Sequence, residues 1–520
     1  MIEPQAIEPF IGLVPFIPAF FGFAIPVLYL ATRNRLIVFS FLLSGLTLST
    51  IISILIAIGT YVTENPLVFK AGGWPAPIGI VYIVDRFSAV LGLVSSFTLL
   101  LIGLYSVSYI VDDAYPWYAI LLLGNAAGVL GVIYTGDLFN LFVMLEVTGV
   151  SSYALVMHYR HRADSIVSGL KYAFIGSLGT TLYLLAMGLL YSYYGTLNTI
   201  DFSYKLQYIT SPAHAYAFGA IMVLALWAFS IKSGVFPSHF WLPDAHPAAP
   251  TPISALLSGL VVNTGLVGLY KVLYISTWSI SGGVYGSVRE LTALAAIIMG
   301  ALSAVFGALL MFIQRDVKRL IAYSTVMNLG YLFMGIGCLT QSGLEATLYY
   351  TIVHSLAKAT LFMSAGVFIK AAGTRDLDKL AGLGPRYPVA GIALAVSTLT
   401  LAGAPPLPGF LAKLLLYEAL FEKSPVIAIT MIIASAIGLL SYMRLFYTIL
   451  LGVPVVSWKE LDFKCAKVVL LLLSIVIIVV GIVFLFNPDL LSKIIGAAST
   501  QSTIDIEKYA EYVKGTLRLP

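Results

Sequence analysis

Six ionisable residues sit where charge is hardest to keep. Glu146 lies in the middle of the apolar stretch 138–158, Lys232 precedes an interruption at Pro237, and Lys271 comes late in the following stretch. His354 and Lys358 are four apart, so a helix puts them on one face. Lys413 follows the proline cluster Pro405, Pro406 and Pro408. A charge at the bilayer centre costs at least about 3 kcal/mol, so such a group turns to the protein interior and takes a partner. A lysine removed from water gives up its proton more readily, and a neighbouring glutamate holds that proton in place. A Glu146–Lys232 pair that can be made and broken is therefore a proton switch. A fixed ion pair is the competing reading. For His354 the competitor is a satisfied core histidine, and for Lys271 a side chain that snorkels to the interface.

These residues stand out because so little else in the chain is charged. Of 520 residues, 59% are hydrophobic and 10% charged, with a net charge of +5; mean hydropathy is +0.96. A soluble domain carries about 25% charged residues. The composition excludes a water-soluble enzyme and a nucleic-acid binder, and makes lipid the solvent for most of the surface. The two cysteines, Cys338 and Cys465, are too few for an iron–sulfur cluster, a Cys-rich zinc site or a disulfide framework.

Apolar runs long enough to cross about 30 Å of hydrocarbon recur about 14 times, from 10–32 to 466–486. They are continuous, without the alternation a membrane barrel shows, so they predict helices: an all-α polytopic membrane protein. The first run is expected to remain as a span, since it is too long for a secretory leader and follows Glu3 and Glu8. With the first short loop inside, cytoplasmic connections carry 14 Lys and Arg against four outside, namely Lys70, Lys205, Arg289 and Lys423. Both termini then lie outside, and the polar tail after Asn487 is read as a surface helix. Extramembrane stretches are too short for a nucleotide or flavin fold.

Two spans are interrupted. Pro237 and Pro243 break one around Lys232–His239, and Pro405, Pro406 and Pro408 break another before Lys413. Three prolines in four residues unwind a helical turn. Unwound backbone is tolerated in a membrane where protein buries it or where it lines a wet cavity. One such break in each half of the chain points to an inverted repeat with ion sites near the midplane.

Phe236-Pro-Ser-His239-Phe-Trp-Leu-Pro-Asp244-Ala-His246-Pro-Ala-Ala-Pro250-Thr-Pro-Ile-Ser-Ala resembles the signature of the antiporter-like subunits (D-, M- or N-type). These occur in Mrp cation/proton antiporters, respiratory complex I, and membrane-bound energy-converting hydrogenases with their sulfur-reducing relatives. Asp316-Val-Lys318-Arg-Leu-Ile-Ala-Tyr323-Ser324-Thr-Val and Pro408-Gly-Phe-Leu-Ala-Lys413 resemble two further motifs, and the similarity runs over roughly residues 85–450. The resemblance implies N-terminal helices 1–3 (residues 1–116) and a first five-helix repeat, helices 4–8 (117–275). It further implies a second, inverted repeat, helices 9–13 (290–451), and a last helix with a tail (452–520). It implies a mid-membrane proton pathway of Glu146, Lys232, His239, His246, Lys271, His354, Lys358 and Lys413. Two positions depart from the pattern: Asn263 stands where several branches carry a connecting lysine, and Asn328 where some carry histidine.

The function these readings imply is proton translocation, with or without coupled Na⁺, by one subunit of a multisubunit complex in the cell membrane. The expected partners are other antiporter-like and small membrane subunits and, in redox-driven branches, a peripheral hydrogenase-like module. No cofactor, metal or catalytic redox centre is expected in the chain. A self-contained solute permease is the alternative. A membrane-embedded haem or quinone reductase is weaker, because of the six histidines only His354 sits deep in a span.

Overall fold

The structure is a computed structural model that describes residues 4–519, except 75, 209–210, 281, 456–457 and 460–463. Thirteen segments among them are long and apolar enough to cross a membrane. They are α1 (Pro4–Thr32), α2 (Arg35–Thr63), α3 (Arg86–Tyr109), α4 (Tyr115–Tyr134), α5 (Leu138–Val156) and α6 (Ala163–Tyr194). The chain continues through α7 (Pro212–Ala248), α8 (Thr251–Ser276), α9 (Gly283–Phe312), α10 (Val317–Gly337) and α11 (Gln341–Ala372). After α12, the series ends with α13 (Pro425–Leu451) and α14 (Lys464–Phe486). The segment α12 consists of two half-helices, Pro388–Ala402 and Pro408–Lys423, of 15 and 16 residues. Neither half spans alone, which accounts for the difference from the count of about 14.

Short polar residues start several of these helices. Asp85, Asp137 and Asp316 each precede a span and accept backbone N–H groups of its first turn, at 2.6, 2.7 and 2.8 Å. Such caps satisfy donors that the helix itself leaves open, and each contributes about 1 kcal/mol. They fix where the chain re-enters the membrane, and hence the depth of every residue that follows.

The bundle has a fully enclosed centre and a lipid-facing rim. The most apolar window of α8 is buried throughout, and those of α10 and α11 nearly so, whereas α1 and α14 are mostly uncovered. Phe16, Phe20 and Phe23 on α1 point outward, as lipid contact permits. The polar residues singled out in the sequence are mostly carried by the enclosed helices and their neighbours. Helix α8 is irregular, with π-helical turns at Leu257–Val261 and Lys271–Ser276; such bulges gather at functional sites.

Outside the membrane the structure adds two features. Strands β1 (Leu67–Lys70) and β2 (Val81–Val84) form an antiparallel hairpin with Leu67 opposite Val84. Strands of four residues are too short for an alternation that could be read along the chain. The tail is more than a surface helix: the segment from Pro488 to Leu517 buries Ile495, Ala498, Tyr509 and Val513 against the outer ends of the spans.

One close contact holds the two halves of α12 together. A Cβ on Gly409 would lie 1.7 Å from the Thr400 carbonyl oxygen, so only glycine fits there. Gly409→Ala is expected to lower the melting temperature of the detergent-solubilised protein, the strain being about 1–3 kcal/mol or more. Gly188→Ala, where a Cβ meets nothing within 4 Å, should leave it unchanged; thermal denaturation followed by fluorescence-detected gel filtration measures both.

Candidate functional site: a buried polar axis

Both broken spans present the carbonyl end of a half-helix to a lysine. In α7 the first half ends at Ser233, and Gly234 closes it with φ 63° while its N–H donates to the Ile231 carbonyl. Lys232 is therefore in the last turn, where the half-helix dipole is negative. In α12 the first half ends at Ala402 and Gly403, φ 88°, closes it. The Lys413 ammonium reaches back and donates to the Ala402 carbonyl at 3.2 Å and to Ser435 Oγ at 2.8 Å. In α12 the Lys413 ammonium thus takes up a carbonyl that the break leaves open. At the α7 break the Ile231 carbonyl is taken by Gly234 N–H and Trp241 Nε1–H, and Lys232 stands in the negative end of the half-helix dipole without a carbonyl contact.

Lys232 is buried, and its ammonium donates to the Tyr153 hydroxyl at 3.2 Å. Glu146, Gly149 and Tyr153 are spaced along one face of α5. A Cβ on Gly149 would come within 3.2 Å of the Lys232 ammonium, so glycine leaves that space open. The Glu146 carboxylate acts electrostatically on Lys232 without forming a contact ion pair with it. Glu146 also borders an apolar cavity of about 700 Å³ between α1, α4 and α5. No ion pair joins Glu146 to Lys232, whose one hydrogen bond among the described residues goes to Tyr153.

Beside Lys232 a series of polar groups crosses the centre of the bundle. Ser233 Oγ donates to the Val262 carbonyl at 3.0 Å. The next residue, Asn263, donates from its amide to Ser355 Oγ at 2.9 Å and to the Gly259 carbonyl at 2.8 Å. Ser355 adjoins His354, whose two ring nitrogens have no partner among the described residues although the ring is completely buried. One turn on, Lys358 donates to Ser324 Oγ and, at 3.3 Å, to the Ile321 carbonyl.

The series continues to Lys413. Asn328 lies one turn after Ser324 on α10. It donates to the Tyr442 hydroxyl at 3.1 Å and accepts from the Tyr350 hydroxyl at 2.7 Å. The Tyr350 ring packs on Tyr331 with centroids 6.2 Å apart, and the Lys413 ammonium stands 5.9 Å from the Tyr331 centroid. Buried polar atoms are nearly always satisfied, so the unpartnered nitrogens of His354 mark where a mobile donor or acceptor belongs.

Residues 135–438 match the family described as NADH:quinone oxidoreductase/Mrp antiporter, TM. The chain belongs to this family. It is 31% identical to the D-type subunit of the Na(+)/H(+) antiporter of Alkalihalophilus pseudofirmus, covering 84% of this chain and 87% of that protein. It is 30% identical to the N-type subunit of the NADH-quinone oxidoreductase of Desulforudis audaxviator, covering 84% and 88%. Its fold is similar to a chain of the membrane-bound sulfane sulfur reductase, an archaeal respiratory membrane complex. The TM-score is 0.87 at 28% identity, covering 96% of this chain and 99% of that one. The chain is accordingly a multi-pass protein of the cell membrane.

For this family member, the two asparagines that depart from the motif pattern both lie in the axis. Asn263 bridges α8 to α11, and Asn328 joins α10 to α11 and α13. The other residues expected on the pathway divide. His246 is completely buried, stacked on Phe362 with centroids 4.6 Å apart, and its ring nitrogens are unpartnered among the described residues. His239 stands apart: it is partly exposed at the break beside Phe236, 5.7 Å between centroids. Lys271 does not snorkel; it is 3% exposed, and the charge acting on it is Asp85.

One residue counted with the loop charges belongs inside. Lys318 is 4% exposed and donates to the carbonyls of Ala249 at 2.7 Å and His246 at 3.3 Å. It borders a polar cavity of about 550 Å³ on the cytoplasmic side, with Arg162, Lys370 and Arg375 also in its wall. The flanking Arg315 and Arg319 are exposed, so no local pattern along the chain marks Lys318 as buried.

Asn328→Leu keeps the volume but strips the Tyr350 and Tyr442 hydroxyls of their shared partner. The expected cost is about 1–3 kcal/mol, seen as a lower melting temperature by intrinsic fluorescence. Asn328→Gln, which can restore one of the two bonds, should recover part of the loss.

Proposed function

We propose that this chain is the proton-translocating, antiporter-like subunit of a multisubunit membrane complex and that the buried axis is its pathway. The observation that carries the reading is alignment. The hydrogen bonds of Asn263 with Ser355, Lys358 with Ser324, Asn328 with Tyr350 and Tyr442, and Lys413 with Ser435 lie in file across the bundle between Lys232 and Lys413, with the unpartnered ring of His354 among them. The names of its relatives, D-type antiporter and N-type quinone oxidoreductase subunits, agree with it.

Protons enter from the cytoplasmic cavity at Lys318, whose ammonium lies on the His246 carbonyl. Lys358 is held by a serine and a carbonyl, with no carboxylate in contact among the described residues, so no fixed opposite charge locks its proton in place. Lys232 differs in having Glu146 nearby. Moving the carboxylate toward Lys232 stabilises the ammonium, and moving it away releases a proton into the axis. The cavity beside Glu146 lets a neighbouring subunit act on that movement. The driving energy comes from outside this chain, by redox chemistry in a peripheral module or ion movement in a second antiporter-like subunit.

The permease alternative finds little support at the first break among the described residues. The cavity beside the first break, about 450 Å³, is walled mainly by Phe174, Ile175, Leu178, Trp227, Ile231 and Phe240, and offers an organic solute few groups to bind.

Glu146→Gln and Lys232→Ala, each introduced into the intact complex, are expected to abolish ion pumping in sealed vesicles, at least a tenfold loss, while native gels show normal assembly. Pumping at the wild-type rate in both variants would falsify the switch and leave the pair a structural one.

A further inference from the structure

Lys271 and Asp85 form a second buried charge pair, away from the axis and near the outer ends of α8 and α3. Lys271 opens the π-helical turn Lys271–Ser276, and its ammonium makes no hydrogen bond to a described residue. Asp85 is 2% exposed and caps α3. The two charges act on each other without an ion-pair contact. A cap alone needs one carboxylate oxygen, which Ser88 N–H occupies. The other, Oδ2, accepts from the Tyr270 hydroxyl at 2.9 Å, and that hydroxyl meets Ser502 Oγ at 2.6 Å.

Ser502 belongs to the tail, which closes over this site through several polar contacts. Gln501 Oε1 accepts from the Arg86 N–H at 2.9 Å, Gln341 Nε2 donates to Thr500 Oγ1 at 2.8 Å, and the Lys70 ammonium donates to the Thr516 carbonyl at 2.7 Å. The Phe87 ring stacks on Tyr270, 3.9 Å between centroids, and fixes its hydroxyl between carboxylate and serine. Tyr509 of the tail and Tyr61 are the other titratable groups facing Asp85, and the Arg86 guanidinium lies over the Tyr61 ring, 5.3 Å from its centroid.

We propose that Lys271, Asp85, Tyr270 and Ser502 are the outward proton-release site of this subunit, with the tail supplying its last hydroxyl. The inference rests on the proton-pathway reading above. In the release step the Lys271 ammonium loses one proton and the Asp85 carboxylate gains it. The acid then gives a proton to the Tyr270 oxygen as Tyr270 gives its own to Ser502, and Ser502, 2% exposed within the tail, passes its own on toward the outer face. Asp85 returns to carboxylate, both hydroxyls keep one hydrogen, and neutral Lys271 is reprotonated from the membrane centre. A fixed ion pair would place the two charges in contact and would have no use for a hydroxyl chain leading away from them.

The test uses the intact complex in sealed proteoliposomes, with a pH dye on the side that carries the tail. Asp85→Asn is expected to slow proton release at least about tenfold, and Asp85→Glu to keep more than half the rate. Tyr270→Phe, which retains the ring on Phe87, and Ser502→Ala should each slow release severalfold. Release at the wild-type rate in Asp85→Asn, with Glu146→Gln still inactive, overturns the outlet and leaves the axis standing. Wild-type release in Glu146→Gln itself removes the reading beneath it. If Asp85→Asn does not assemble, Tyr270→Phe and Ser502→Ala decide: normal release in both overturns the proposal.

Discussion

Everything in this protein is arranged around the cost of holding an ammonium group away from water. Lys232, Lys271, Lys318, Lys358 and Lys413 are all buried within the bundle, none has a contact carboxylate among the described residues, and four of them are given neutral oxygens instead. Lys413 has a half-helix carbonyl and a serine, Lys318 two backbone carbonyls, Lys358 a serine and a carbonyl, and Lys232 a tyrosine hydroxyl. Neutral oxygens stabilise an ammonium less than a salt bridge does. They therefore leave charged and uncharged lysine closer in free energy, and a proton can come and go.

The irregular backbone follows from that need. In a continuous helix each internal carbonyl already accepts one backbone N–H, whereas the last carbonyls before a break are left without that partner. Breaking α7 after Ser233 and α12 after Ala402 frees carbonyls at mid-depth, and enclosing α8, α10 and α11 keeps the freed groups from lipid. Gly234, Gly403 and Gly409 are where the chain turns or packs too tightly for a side chain. Capping aspartates at the span starts then set the depth at which these features meet.

The spans, the breaks and the six ionisable residues were legible because each departs from the apolar background by kind of residue. Three prolines near a lysine can be read along one chain. The partners could not, because they are ordinary residues made important by contact across helices. Asn263 touches Ser355, and Asn328 touches Tyr350 and Tyr442, over separations of 92, 22 and 114 residues. Lys318 was hidden for the opposite reason: beside Arg315 and Arg319 it looked like one more loop charge, and only the fold draws it inside. His239 shows that a motif histidine need not face the axis. The hairpin and the burial of the tail depend on packing against distant span ends, which no local pattern records.

A single continuous pathway through the middle of the bundle depends on Lys358 more than on any other residue. Lys358→Met keeps the length and packing of the side chain while removing its proton. The decisive measurement is vectorial proton transfer by the assembled complex in sealed vesicles, recorded together with turnover of the reaction that drives it. Normal assembly with pumping reduced to background is the expected result. Pumping at the wild-type rate with Lys358 replaced would show that protons do not cross the centre of this subunit, and would contradict the pathway.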